Sequence, residues 1–186
     1  DCKILENVFN FPVLDATGIT TIRYMAQNAY KLKGDFVFPE YPNCDNIENA
    51  FENAYLVKSI TFSGSMDLCT RIYRTFNNCL GLETLVLPES MLAIVDARNL
   101  GNIAAFTNLE NLKTLRLPKY LQTDAVWLNP NTNLLYSFTN AKKLETLSTV
   151  ESVHPSIVGF VLWNFLWNLK TFDQPNLKFD RINFWP

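Results

Sequence analysis

One segment of this chain is written several times, and that repetition decides what the chain can fold into. Phe76-Asn-Asn-Cys79-Leu-Gly-Leu82-Glu-Thr-Leu85-Val-Leu87-Pro88 returns as Phe106-Thr-Asn-Leu-Glu-Asn-Leu112-Lys-Thr-Leu115-Arg-Leu117-Pro118. A third version is Phe138-Thr-Asn-Ala-Lys-Lys-Leu144-Glu-Thr-Leu147-Ser-Thr-Val150. Anchored on the leading aromatic or its equivalent, six copies start at Ala26, Phe51, Phe76, Phe106, Phe138 and Trp163. Their spacings are 25, 25, 30, 32 and 25 residues. A unit this short cannot bury its own apolar face, so successive units must stack and share one core.

The columns of the repeat carry physical meaning. Each copy ends in alternation, as in Leu85-Val86-Leu87, so Leu85 and Leu87 share one face of a short strand while Thr84 and Val86 take the other. Pro39, Pro88, Pro118 and Pro175 close four of these strands, where a residue without an N–H does least damage. Strands that recur once per turn in one direction form a parallel sheet, and the aromatic anchors fill the core on the opposite side. Ile22, Ile47 and Ile72 precede their anchors by four residues. The Phe-x-Asn segment reads as a short helical turn. Copy one carries one extra residue between Leu32 and Phe36. Asn28, Asn53, Asn78, Asn108 and Asn140 each follow an anchor by two. Such a row of amides is either a ligand site or, the reading adopted, a buried row that hydrogen-bonds the backbone of its turn.

The pattern Phe-x-Asn-Cys-x-x-Leu-x-x-Leu-x-Leu-Pro, as in Phe76 to Pro88, resembles the BspA-like leucine-rich repeat family, and the resemblance covers residues 22–175. The departures are Phe165 in the Asn column, Ala26 in place of an aromatic, and the lengthened copies four and five. The expected fold is α/β: a leucine-rich-repeat solenoid, a right-handed superhelix. It has a parallel β-sheet on one face and short helical turns or irregular structure on the other. Residues 1–186 form one domain, with an N-terminal cap at 1–21, about six repeats over 22–175 and a C-terminal cap at 176–186. The resemblance implies a secreted or cell-surface bacterial protein, outer-membrane-associated, engaged in adhesion.

Composition narrows the function classes. A net charge of −2, without a basic run, removes the electrostatic case for nucleic acid. Six glycines are few for a phosphate-cradling loop. The longest apolar run, Ile157 to Trp167, is too short for a membrane span and is broken by Asn164, so it reads as a buried terminal repeat. Asp1-Cys2-Lys3 reads as the start of a processed or trimmed chain, and Cys2 as a residue near a processing or lipid-anchoring site upstream.

Residues that could carry chemistry are few. His154, the single histidine, precedes Pro155 and reads as a loop residue, which leaves no histidine pair for a metal. No Gly-x-Ser-x-Gly pattern accompanies it. Glu83, Glu110 and Glu145 read as solvated turn residues and not as the paired carboxylates of a glycosidase. Neither catalytic residue nor cofactor is expected. Cys44 and Cys69 both lie seven residues before an anchor, 25 residues apart. Stacked backbones bring them within disulfide range; the alternative is two buried thiols in one column. Cys79 shares the column of Ala29, Ala54 and Ala141 and reads as a small core residue.

A partner would meet the outward strand positions. One column is Ser59, Thr84, Thr114, Thr146 and Thr171, and the next is Thr61, Val86, Arg116, Ser148 and Asp173. The first suits any sheet face because β-branched residues favour strands. The second varies in chemistry, which fits recognition. Trp127, in the Asn- and Pro-rich insertion of copy five, is a further candidate. The expected function is a monomeric, non-catalytic interaction module for a protein or glycan. The rivals are a structural spacer of a larger surface protein and a glycan-processing enzyme.

Overall fold

The computed structural model describes residues 16–88, 90–91, 106–117, 141–149, 168 and 170–173. A 3-10 turn at Ala16–Gly18 leads into strands β1 (Lys33–Phe38), β2 (Leu56–Phe62), β3 (Thr84–Val86), β4 (Thr114–Leu117), β5 (Thr146–Thr149) and β6 (Thr171–Asp173). The six strands form one sheet in sequence order, and every neighbouring pair is parallel. The register repeats: Ser59, Thr84, Thr114, Thr146 and Thr171 lie side by side, as do Ile60, Leu85, Leu115, Leu147 and Phe172. Each strand is therefore the same part of its copy.

Alternation decides which way the side chains point. Phe36, Phe38, Ile60, Phe62, Leu85, Leu87, Leu115, Leu117 and Leu147 are buried, while the residues between them are at least partly open to solvent. A shift in the pairing of β1 with β2 falls between Gly34 and Asp35, within the stretch where copy one is a residue longer. Gly34 has a φ of 102°, a conformation that side-chain-bearing residues rarely adopt. β1 and β4 stop at the residue before Pro39 and Pro118.

The core lies between the sheet and a layer of turns. Phe51 meets Phe36 and Phe38 edge-on, with ring centroids 5.5 and 5.6 Å apart. Along the stacking direction Phe51, Phe76 and Phe106 succeed one another at 6.3 and 5.8 Å. Ile22, Ile47 and Ile72 complete this layer, and Ala29, Ala54, Cys79, Leu109 and Ala141 fill the tighter column beside it. Gly81 marks the closest approach: a Cβ there would stand 2.5 Å from the carbonyl oxygen of Tyr55.

The turn layer is itself bonded from copy to copy. Ala26, Asn28, Phe51, Asn53 and Asn78 donate their N–H groups to carbonyls of the following copy, at 2.7 to 3.1 Å. Ala29, Ala54 and Cys79 donate to the carbonyl three residues back, closing the turn. Tyr24, Asn28, Asn49, Asn53, Arg74, Asn78 and Asn108 all have φ between 54 and 62°. In the first three copies left-handed residues four apart, Tyr24 and Asn28, Asn49 and Asn53, Arg74 and Asn78, bend the chain so that its N–H groups face the next copy. No α-helix is present among the described residues.

Candidate interaction surface

The outward side of the sheet is built from two columns of side chains. In the first, Asp35, Ser59, Thr84, Thr114, Thr146 and Thr171 are in register. The hydroxyl of Ser59 donates to Asp35 Oδ1 at 2.7 Å, so this column begins with a carboxylate and continues as hydroxyls. Neighbouring members are separated by the strand spacing of about 4.8 Å. In the second column Val37, Thr61, Val86, Arg116, Ser148 and Asp173 are in register. Thr61, Thr84, Val86, Thr114, Arg116, Thr146 and Ser148 are half-buried, and Val37 and Thr171 are exposed. The face thus combines a uniform polar row with a row in which a cation, small hydroxyls and valines alternate.

A row of charges borders the hydroxyl column on the side where each strand begins. Lys58, Glu83, Lys113, Glu145 and Lys170 alternate in sign, one residue before the column from Ser59 to Thr171. Lys58 and Lys113 bind the two oxygens of Glu83 at 2.9 and 2.6 Å, and Lys170 binds Glu145 at 3.0 Å. Hydrogen bonds from Lys113 and Lys58, reinforced by their charge, bring the Glu83 carboxyl down to about 2. The same bond to Glu83 raises Lys113. Glu83 and Glu145 are open to solvent, as the sequence led one to expect, and are in addition members of an ion-pair ladder. The signal was legible as Lys-Glu-Lys-Glu-Lys at one position of successive copies. Beyond the ladder an open depression of about 390 Å³ is lined by Glu110, Asn111, Lys142 and Lys143. Asn111 and Lys143 are tied together there at 2.6 Å.

On the turn side a polar cluster surrounds a buried carboxylate that sequence reasoning missed. Glu52 is 6% exposed. Its Oε2 accepts from Gln27 Nε2 at 2.8 Å and Asn49 Nδ2 at 2.7 Å, and its Oε1 from Asn77 Nδ2 and Arg74 at 3.2 Å each. Burial alone would raise this carboxyl, but the three amides and the guanidinium outweigh it, and the net shift is downward. With four donors on two oxygens, the group is a clamp across adjacent copies.

The asparagine column differs from expectation. Its amides bond to one another: Asn53 Nδ2 donates to Asn28 Oδ1 at 2.8 Å, Asn78 to Asn53 at 2.8 Å and Asn108 to Asn78 at 2.6 Å. These side chains are half-buried and form a continuous ladder. Cys44, Cys69 and Cys79 are buried and carry free thiols in this structure. Trp127, Asn140, His154 and Cys2 lie outside the described residues, as does the side chain of Asp173.

Among the described residues no group of three or more His, Cys, Asp or Glu side chains is placed to hold a metal ion. None of the described helices is long and apolar enough to cross a membrane. No protein-family model, curated protein or solved structure matches this chain.

Proposed function

We propose that this chain is a non-catalytic interaction module of the leucine-rich-repeat type, a right-handed solenoid that docks a protein or glycan partner on the outward face of its sheet. The observation that carries the reading is the contrast between the two outward columns. The inward leucines, the anchors, the asparagine ladder and the alternating charges are occupied in construction, and the outward threonine row is uniform. The column Thr61, Val86, Arg116, Ser148 differs at each step and is half-open to solvent. Its members stand on rigid, hydrogen-bonded strands, the setting in which a recognition surface keeps its shape.

The resemblance of Phe76 to Pro88 and its copies to BspA-like repeats supports a secreted or cell-surface location and an adhesive role. Three of the described carboxylates are held by structural partners, which supports a binding role over hydrolysis. Glu83 and Glu145 are engaged by lysines and Glu52 by four donors.

The test is a pull-down against matrix proteins together with a glycan array, using the wild-type chain and Arg116→Glu. A partner captured by the wild type is expected to lose at least about tenfold in affinity, ~1.4 kcal/mol, on charge reversal. A partner that binds both forms equally places recognition elsewhere. Capture of nothing favours the spacer reading.

A further inference from the structure

We propose that Cys44 and Cys69 are a disulfide-forming pair that, once oxidised, staples the segments leading into the second and third copies. Both thiols are free in this structure and both side chains are wholly buried. The two residues occupy the same place in identical turns: Cys44 N–H donates to Tyr41 O at 3.2 Å, and Cys69 N–H donates to Met66 O at 3.0 Å. The backbones run in parallel register from the next residue onward. Thr70 N–H donates to Asp45 O at 3.1 Å, Ile47 N–H donates to Arg71 O at 2.9 Å, and Asn46 pairs with Arg71. Backbones laddered in this way stand about 4.8 Å apart, inside the Cα window of about 4.4–6.8 Å that a disulfide spans. Cys44 Sγ lies 3.7 Å from the carbonyl of Asn46, and the backbone of Arg71, likewise two residues on, hydrogen-bonds the Cys69 thiol. The two cysteines therefore occupy equivalent places on adjacent copies, and the bridge requires rotation about their Cα–Cβ bonds to bring the thiols together. Cys79 stands in contrast: its column neighbours are Ala54 and Leu109, which offer no thiol.

The oxidant is a low-molecular-weight disulfide of the glutathione type. One cysteine thiolate attacks it, forming a mixed disulfide and releasing one thiolate. The second cysteine thiolate attacks the cysteine sulfur of that mixed disulfide, forming the Sγ–Sγ bond and releasing the second. The two cysteine protons end on the released thiols, and two electrons pass to the oxidant. Burial, and then the neighbouring Cys44, push the Cys69 thiol up to about 12, and Cys44 is raised by burial as well. Thiolate is scarce once the core has closed, so the bond forms as the chain folds, before these two segments seal over the pair.

The inference stands apart from the proposed binding face, because bridge formation is read without any partner. The full chain is refolded from denaturant in a buffer of oxidised and reduced glutathione, alkylated in denaturant and digested without reductant. Mass analysis is expected to find the Cys44 peptide joined to the Cys69 peptide, with Cys79 alkylated. In Cys69→Ala and in Cys44→Ala the surviving partner is expected to be alkylated or glutathionylated and not cross-linked. Recovery of Cys44 and Cys69 as separate alkylated peptides from the wild type overturns the proposal. So does an indiscriminate mixture in which Cys79 is joined as often as either.

Discussion

Asn78 shows how much one position of the repeat is asked to do. Its φ of 59° requires the left-handed region, its amide N–H group donates to Asn53, and its oxygen accepts from Asn108. Asparagine is the side-chain-bearing residue that tolerates this conformation best, so the recurring Asn answers a backbone demand before a side-chain one. Asn78→Gly is expected to lose the ladder bonds but keep the turn. Asn78→Ala adds about 1–2 kcal/mol of backbone strain, read as a lower urea midpoint than the glycine variant. Glu52 gives a pH prediction. Its folded pKa lies below the ordinary glutamate value of 4.5, so its contribution to stability is present above that value. The contribution is lost as the pH falls through the folded pKa. Urea midpoints compared at pH 6 and pH 3 should fall in the wild type and fall less in Glu52→Gln. Glu52→Ala, which removes the acceptor of the buried Asn49 and Asn77 amides, is expected to cost about 2 kcal/mol at neutral pH.

At the scale of the element, the strand and the turn are held by different means. The strands bury alternate aliphatic residues against a file of phenylalanines. Phe76, between Phe51 and Phe106, belongs to the deepest part of that file. Phe76→Ala is expected to cost about 3–5 kcal/mol in chemical denaturation, because the gap opens between two stacked rings that the backbone ladders hold apart. The exposed ladder from Lys58 to Lys170 works by charge alternation alone. Glu83→Lys would set three lysines side by side. It is expected to lower the melting temperature at low salt, with most of the loss recovered at about 1 M salt, where screening shortens to ~3 Å. A loss that salt leaves unchanged would show that Glu83 acts through packing.

For the whole molecule, the sequence was legible wherever one residue type recurred at a fixed place. The Leu-x-Leu endings and the 25-residue step were enough to anticipate strands in parallel and a core of stacked Phe51, Phe76 and Phe106. What stayed hidden depends on contacts between copies. The amides of Asn53 and Asn78 meet each other and not their own turns, a choice that only the stacked geometry fixes. Glu52 reads as a surface residue because its column, Gln27, Glu52 and Asn77, one residue after each anchor, changes chemistry from copy to copy and shows no single recurring residue. The same limit applies to the proposed recognition: the outward column is visible as a position, whereas what it would bind depends on chemistry displayed across strands.

Shared inward positions build the core, and the varied positions proposed for recognition point outward. Leu115 and Arg116 are adjacent in β4, one buried and one half-open. The direct measurement is thermal unfolding of Leu115→Lys and Arg116→Glu beside the wild type. Leu115→Lys is expected to abolish the cooperative transition. Arg116→Glu should melt within a few degrees of the wild type. An Arg116→Glu protein that unfolds, or a Leu115→Lys protein that melts like the wild type, would contradict the assignment of inside and outside on which everything else is built.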